Sequence, residues 1–183
     1  EAECRACPAG SWSNETGATD ASTCVACPAG TFSPIAGSAF NASCLPCPAG
    51  HFSDTPASDR CTPCPLGTFS AAIGAASAST CTPCPSGAST SAAAAVSVLQ
   101  CLTCSPGTFA SSAAGDGDQS CLPCPAGSYS AISGATSVLN CTLCPAGTFS
   151  PVDGAVSAAS CVSCQPGTFG ASPGAAACTP CPL

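Results

Sequence analysis

Twenty cysteines fall into ten C-x-x-C pairs, beginning at Cys4, Cys24, Cys44, Cys61, Cys81, Cys101, Cys121, Cys141, Cys161 and Cys178. Thiols at this spacing have three chemistries open to them: zinc binding, thiol exchange and disulfide closure. Zinc would take the pairs two at a time, as five Cys4 sites. Zinc ribbons usually bring Lys, Arg and His with them, whereas this chain has no Lys, only Arg5 and Arg60, and one His. A redox pair needs a βαβ setting and normally occurs once, so ten tandem copies do not suit it. Three glycosylation sequons, Asn14-Glu15-Thr16, Asn41-Ala42-Ser43 and Asn140-Cys141-Thr142, point to an oxidising secretory route. Such triplets also arise by chance in a chain with 28 Ser and 17 Thr, and the third touches the cysteine framework. Disulfides are the expected state, with no metal and no cofactor.

The elements that must position these cysteines follow from their spacing. Successive pairs are offset by 20, 20, 17, 20, 20, 20, 20, 20 and 17 residues, an internal repeat with two three-residue deletions. The repeats run approximately 4–23, 24–43, 44–60, 61–80, 81–100, 101–120, 121–140, 141–160 and 161–177, with a partial unit at 178–183. Counted from the second cysteine of each pair, Gly lies three residues on in all nine complete repeats. An aromatic lies five on in eight: Trp12, Phe32, Phe52, Phe69, Phe109, Tyr129, Phe149 and Phe169, with Ser89 in the ninth. A second Gly lies ten on at Gly17, Gly37, Gly74, Gly134, Gly154 and Gly174. Pro followed by Ala-Gly predicts a turn with Pro at its second position. Thr-Phe-Ser predicts a short strand with the aromatic inside, and the second Gly predicts the bend that brings the chain back.

Composition excludes a large core. Leu, Ile, Val and Phe together number only 25 of 183 residues, and the positive mean hydropathy (+0.38) comes from Ala and Cys. The expected packing is one aromatic per repeat against a disulfide and a neighbouring Ala or Val. Burying a Phe stabilises by roughly 1.5–3 kcal/mol, too little to order about 20 residues. The preferred pairing joins the second cysteine of one pair to the first of the next: Cys7–Cys24, Cys27–Cys44, Cys47–Cys61, Cys64–Cys81, Cys84–Cys101, Cys104–Cys121, Cys124–Cys141, Cys144–Cys161 and Cys164–Cys178. It makes every repeat equivalent and leaves Cys4 and Cys181 for adjoining repeats. The alternative, Cys4–Cys24 with Cys7–Cys27 and so on, makes alternate repeats inequivalent, and sequence does not decide between them.

A net charge of −7 with two scattered Arg residues gives no patch for nucleic acid or for anionic lipid. No apolar run approaches the roughly 18 residues needed to span a bilayer, so no direct membrane insertion is expected. His51 occupies a slot that holds Thr or Ser in seven other repeats and reads as a surface substitution. Asp116-Gly117-Asp118 has half the carboxylates of a calcium loop and lacks the distal Glu, so it reads as a solvated turn. No nucleophile and base are set for acyl transfer, and no enzyme is expected. The ends, Glu1 just before one pair and Leu183 just after another, suggest a segment of a longer chain.

The repeated C-x-x-C-P-x-G-[TS]-[FY]-S with its Gly-bearing loop resembles the ephrin-receptor-like cysteine-rich repeat, a relative in style of EGF-like and TNF-receptor modules. The resemblance runs from Cys7-Pro8-Ala9-Gly10-Ser11-Trp12 through its eight counterparts, with Ser89, Ser105 and Gln165 as departures. It implies arrays like those of mastigoneme-like and other protist or algal surface proteins, and marks fold better than function. The expected fold is a small disulfide-rich, mostly irregular or all-β tandem-repeat rod of about nine 17–20-residue modules, with short strands. The expected role is an extracellular or cell-surface shaft or spacer that self-associates or meets other surface and matrix proteins, with covalent glycans. A receptor ectodomain is the alternative. It should break the repeat with an unusual cluster, and the irregular zones at 51–60, 86–100 and 115–118 are mild.

Overall fold

The computed structural model describes residues 6–16, 20–112 and 119–182. The chain forms two compact units, Glu1–Pro83 with Ala92–Gln100, and Cys84–Ser91 with Cys101–Leu183. Both are built from one element.

That element begins at a turn. Ser11 N–H donates to the Pro8 carbonyl (3.1 Å), and the equivalent bond closes the turn in all nine repeats. The intervening Gly has φ between +77° and +84° throughout, which a type II turn demands at its third position. In seven repeats Pro is therefore the first turn residue, one place earlier than expected, because the Gly that needs positive φ lies two after it. In Ser105-Pro106-Gly107 and Gln165-Pro166-Gly167 Pro holds the expected second position. The next slot explains its hydroxyl. Ser11 Oγ donates to the same Pro8 carbonyl (2.7 Å), as do the Thr or Ser hydroxyls at 31, 68, 108, 128, 148 and 168 to theirs. His51 and Ala88 keep the backbone bond alone.

The strand that follows finds its partner inside the next C-x-x-C pair. Ser11–Trp12 pairs antiparallel with Val25–Ala26, and Thr31–Phe32 with Leu45–Pro46. Nine such two-stranded sheets occur among the described residues. Each aromatic stands opposite the residue after the first cysteine, as in Phe109 opposite Leu122 and Phe149 opposite Val162. Cys27 N–H closes the ladder on the Gly10 carbonyl (2.8 Å). Alternation then turns the preceding N–H outward, so the slot accepts Pro at 46, 63, 83, 123 and 180 without losing a bond.

Among the described residues a one-turn 3₁₀ helix runs into the first cysteine in six repeats: Ala21–Thr23, Asn41–Ser43, Ala78–Thr80, Val98–Gln100, Val138–Asn140 and Ala158–Ser160. The 17-residue repeats that end at Cys61 and Cys178 have none. Their three missing residues are that turn.

Within each unit, successive repeats are joined by backbone bonds. Gly10 N–H donates to Ser33 O (2.8 Å), Ser13 N–H to Ser38 O (3.0 Å) and Gly37 N–H to Cys7 O (2.8 Å). In the second unit the trio recurs from Gly107 to Ser130 (2.7 Å), Ala110 to Ala135 (2.8 Å) and Gly134 to Cys104 (2.7 Å). The second glycine thus lies on a bend and also docks one repeat on another. Its φ is +70° to +83° at Gly37, Gly74, Gly134, Gly154 and Gly174, and the slot keeps that conformation where Ala57 (φ 61°) and Ala94 (φ 64°) fill it. Ala94→Gly should therefore raise stability by up to about 1 kcal/mol, since relief of left-handed strain (about 1–2 kcal/mol) exceeds the entropy cost of Gly. Chemical denaturation reads the change, and a loss of stability would count against it.

What the fold buries is small. The second cysteines Cys27, Cys47, Cys64, Cys124 and Cys144 are fully buried, and Ala75, Ala95, Ala135 and Ala155, each eleven residues after a second cysteine, are buried too. Phe52 is the one buried aromatic among the described residues, packed with Cys64, Ala75 and Cys81. Trp12, Phe32, Phe69, Phe109, Tyr129 and Phe149 are half-buried, and Phe169 is exposed. The reading of all eight as core aromatics is corrected on this point. Trp12, Phe52, Phe69, Phe109 and Tyr129 each bridge to residue eleven of the next repeat (Ser38, Ala75, Ala95, Ala135, Ala155), and Phe169 has no such neighbour among the described residues. Among the described residues the buried Ser33 and Ser150 hydroxyls have no hydrogen-bond partner, while Ala110 fills the same slot. Ser33→Ala and Ser150→Ala remove an unsatisfied group, so each should leave the melting temperature unchanged or raise it; a fall of several degrees would contradict this.

Candidate functional site

The cysteine ladder is the site the sequence singles out, and the strand inside each pair governs its chemistry. Two extended residues separate the cysteines, which sets their Cα atoms about 10 Å apart on opposite sides of the strand. Neither can close on its own partner. The nine bridges run from the second cysteine of one pair to the first of the next: Cys7–Cys24, Cys27–Cys44, Cys47–Cys61, Cys64–Cys81, Cys84–Cys101, Cys104–Cys121, Cys124–Cys141, Cys144–Cys161 and Cys164–Cys178. Their Cα–Cα distances of 5.5–5.8 Å are ordinary for disulfides. Each closes a loop of 17 residues in sequence, or 14 in the two short repeats. Those eighteen sulfurs have no thiolate to offer zinc or a redox partner. Cys181 is a free, exposed thiol. Cys4, Asp116 and Asp118 lie outside the described residues.

The remaining candidates are scattered. His51 is half-buried with Nδ1 3.3 Å from the Ala49 carbonyl. Asn14 and Asn41 are exposed, whereas Asn140 is half-buried and its side chain closes a capping box with Ser137. In the repeat without an aromatic, Ser89 is buried in the strand Ala88–Thr90, paired with Cys101–Thr103. Asp20 caps the first 3₁₀ turn: the Ser22 backbone N–H bonded to it (2.7 Å) holds its carboxyl below the usual carboxylate range.

Two features escaped the sequence reading. One is the partner strand inside each cysteine pair, hidden because two residues carry no alternation to read. The other is an aliphatic outer edge. Val25, Leu45, Leu102, Leu122 and Val162, each directly after a first cysteine, are 41–59% exposed, and Leu99 and Leu139 stand out at 86% and 90%. The sequence signal for these slots is the recurrence of Val or Leu directly after the first cysteine, and of Leu two residues before it at 99 and 139.

The family described as "Tyrosine-protein kinase ephrin type A/B receptor-like" matches three stretches, residues 18–60, 50–101 and 99–141. Together they span most of the chain. The chain belongs to this family. Repeats of this family are non-catalytic extracellular modules, and nine disulfides suit an extracellular setting. No curated protein matches the chain. Among the described residues no helix is long and apolar enough to cross a membrane.

Proposed function

We propose that this chain is a structural segment of an extracellular protein, a disulfide-stapled shaft or spacer within a cell-surface filament. The supporting observation is the equivalence of the joints. The same backbone N–H to carbonyl bonds run from Gly37 to Cys7, Ala57 to Cys27 and Gly74 to Cys47 in one unit, and from Gly134 to Cys104 and Gly154 to Cys124 in the other. Stability assembled from like nearest-neighbour joints can be extended by adding repeats. The recurring exposed aliphatics and the low charge suit contact between like copies.

Membership of a receptor-like family favours a second reading, a receptor ectodomain that captures a ligand. Electron microscopy of native material separates the two. Ordered polymers containing this chain are expected. Monomeric particles with saturable affinity for a defined ligand would replace the filament reading with the receptor one.

A further inference from the structure

We infer that Asn14 and Asn41 carry N-linked glycans, and that Asn140 stays bare because the fold uses its carboxamide. This goes beyond the shaft reading and does not rest on it.

The three sequons are alike in sequence and differ in place. Asn14, Glu15 and Thr16 are all exposed, and so is Asn41 at the start of its 3₁₀ turn. Neither of these carboxamides makes a hydrogen bond among the described residues, so each is free for transfer. Asn140 Oδ1 instead accepts from Thr136 N–H (3.1 Å), Ser137 N–H (3.1 Å) and Thr136 Oγ1 (3.4 Å). Gln100 does the same work at the same slot, its Oε1 accepting from Val96 N–H (2.6 Å) and Ser97 N–H (3.2 Å). The middle residue of the sequon, Cys141, is 7% exposed and bridged to Cys124.

In N-glycosylation the asparagine Nδ2 attacks C1 of an oligosaccharide carried on a lipid diphosphate. The C1–O bond breaks, the Nδ2–C1 bond forms, one amide proton passes to base and the lipid diphosphate leaves. The transferase must take the carboxamide free of other bonds. Asn140 fails this once Cys124–Cys141 has closed, because the turn engages its side chain and the bridge fixes the residue that follows it. The Asn41 carboxamide stays free although its sequon lies in a 3₁₀ turn.

The test is secretion of the full chain from a glycosylating host. Peptide N-glycosidase F then converts each glycosylated Asn to Asp, which is mapped by mass spectrometry. Conversion is expected at Asn14 and Asn41 and not at Asn140. Thr142→Val destroys the third sequon and places in that strand the residue already found at Val25 and Val162, so the fold survives; the glycan count should remain two. Asn14→Gln with Asn41→Gln should leave no sensitive glycan. Conversion of Asn140, loss of a glycan in T142V, or an unoccupied Asn14 or Asn41 in the parent chain would overturn the assignment.

Discussion

Gly107→Ala is expected to block assembly of the second unit, while the same change at Gly147 is survivable. Both glycines hold the third position of the same turn, with φ of +82° and +80°. Alanine in left-handed backbone costs about 1–2 kcal/mol at either site. Their surroundings differ. A Cβ on Gly107 would fall inside the Gly154 carbonyl and press Val156 Cγ1 at 3.1 Å, whereas one on Gly147 meets nothing within 4 Å. Gly154 belongs to the repeat two further on. Backbone cannot step aside there, because Gly154 N–H is tied to the Cys124 carbonyl at 2.7 Å. Gly147→Ala should lower the melting temperature by roughly 2–8 °C. Gly107→Ala should cost more than about 4 kcal/mol, the range of severe single substitutions, and the secreted yield should collapse. Gly10, Gly30, Gly50, Gly87 and Gly127 face the same carbonyl and should behave like Gly107. Equal effects at Gly107 and Gly147 would mean that positive φ, not the approach of the second-next repeat, fixes this glycine.

That glycine shows how far the sequence could be read. Its recurrence in nine repeats announced a turn, and the cysteine period announced an array of closed loops; the structure has both, in short two-stranded sheets with no large core. What spacing cannot convey is which backbone lies against which. The contact of Gly107 with Gly154 joins residues 47 apart, and only the turn glycine hints at it. Conversely, Ala57 and Ala94 adopt left-handed backbone at slots where other repeats use Gly. Local preference mispredicts them, since the bond from Ala94 N–H to the Cys64 carbonyl (2.9 Å) holds the chain in place. The aromatics illustrate the limit of pattern in another way. Periodicity placed them on one face, but how deeply each lies depends on the next repeat, which is why Phe52 is buried and Phe169 is exposed. For Asn140 the triplet alone suggested a glycan, and the carboxamide's partners become visible only with the turn.

The largest loss is expected on reduction. Dithiothreitol should unfold the oxidised chain, with loss of its far-ultraviolet circular dichroism and rapid proteolysis, whereas a strong chelator should leave both unchanged. Phe52 is the one large apolar side chain buried among the described residues, so a reduced repeat has almost nothing to hold it closed. Each bridge closes a loop worth about 3 kcal/mol in the chain-entropy account. Single bridges should not be equal. Cys104–Cys121 has a buried sulfur at Cys104, whose carbonyl also accepts from Gly134 N–H (2.7 Å). Cys104→Ala with Cys121→Ala should therefore cost 2–5 kcal/mol, roughly the usual range for a native bridge, and should loosen the following repeat as well. Cys164–Cys178 closes the shorter, 14-residue loop around a half-buried Cys164, and its removal should cost less. Because the contacts of this repeat reach the next repeat at Gly134 and the one after at Gly154, damage at Cys104 should appear as proteolytic cleavage near residues 104–160 before the rest of its unit gives way. Unfolding by chelator with resistance to dithiothreitol would reverse the assignment of these sulfurs from disulfide to metal, and with it the physical basis of the array.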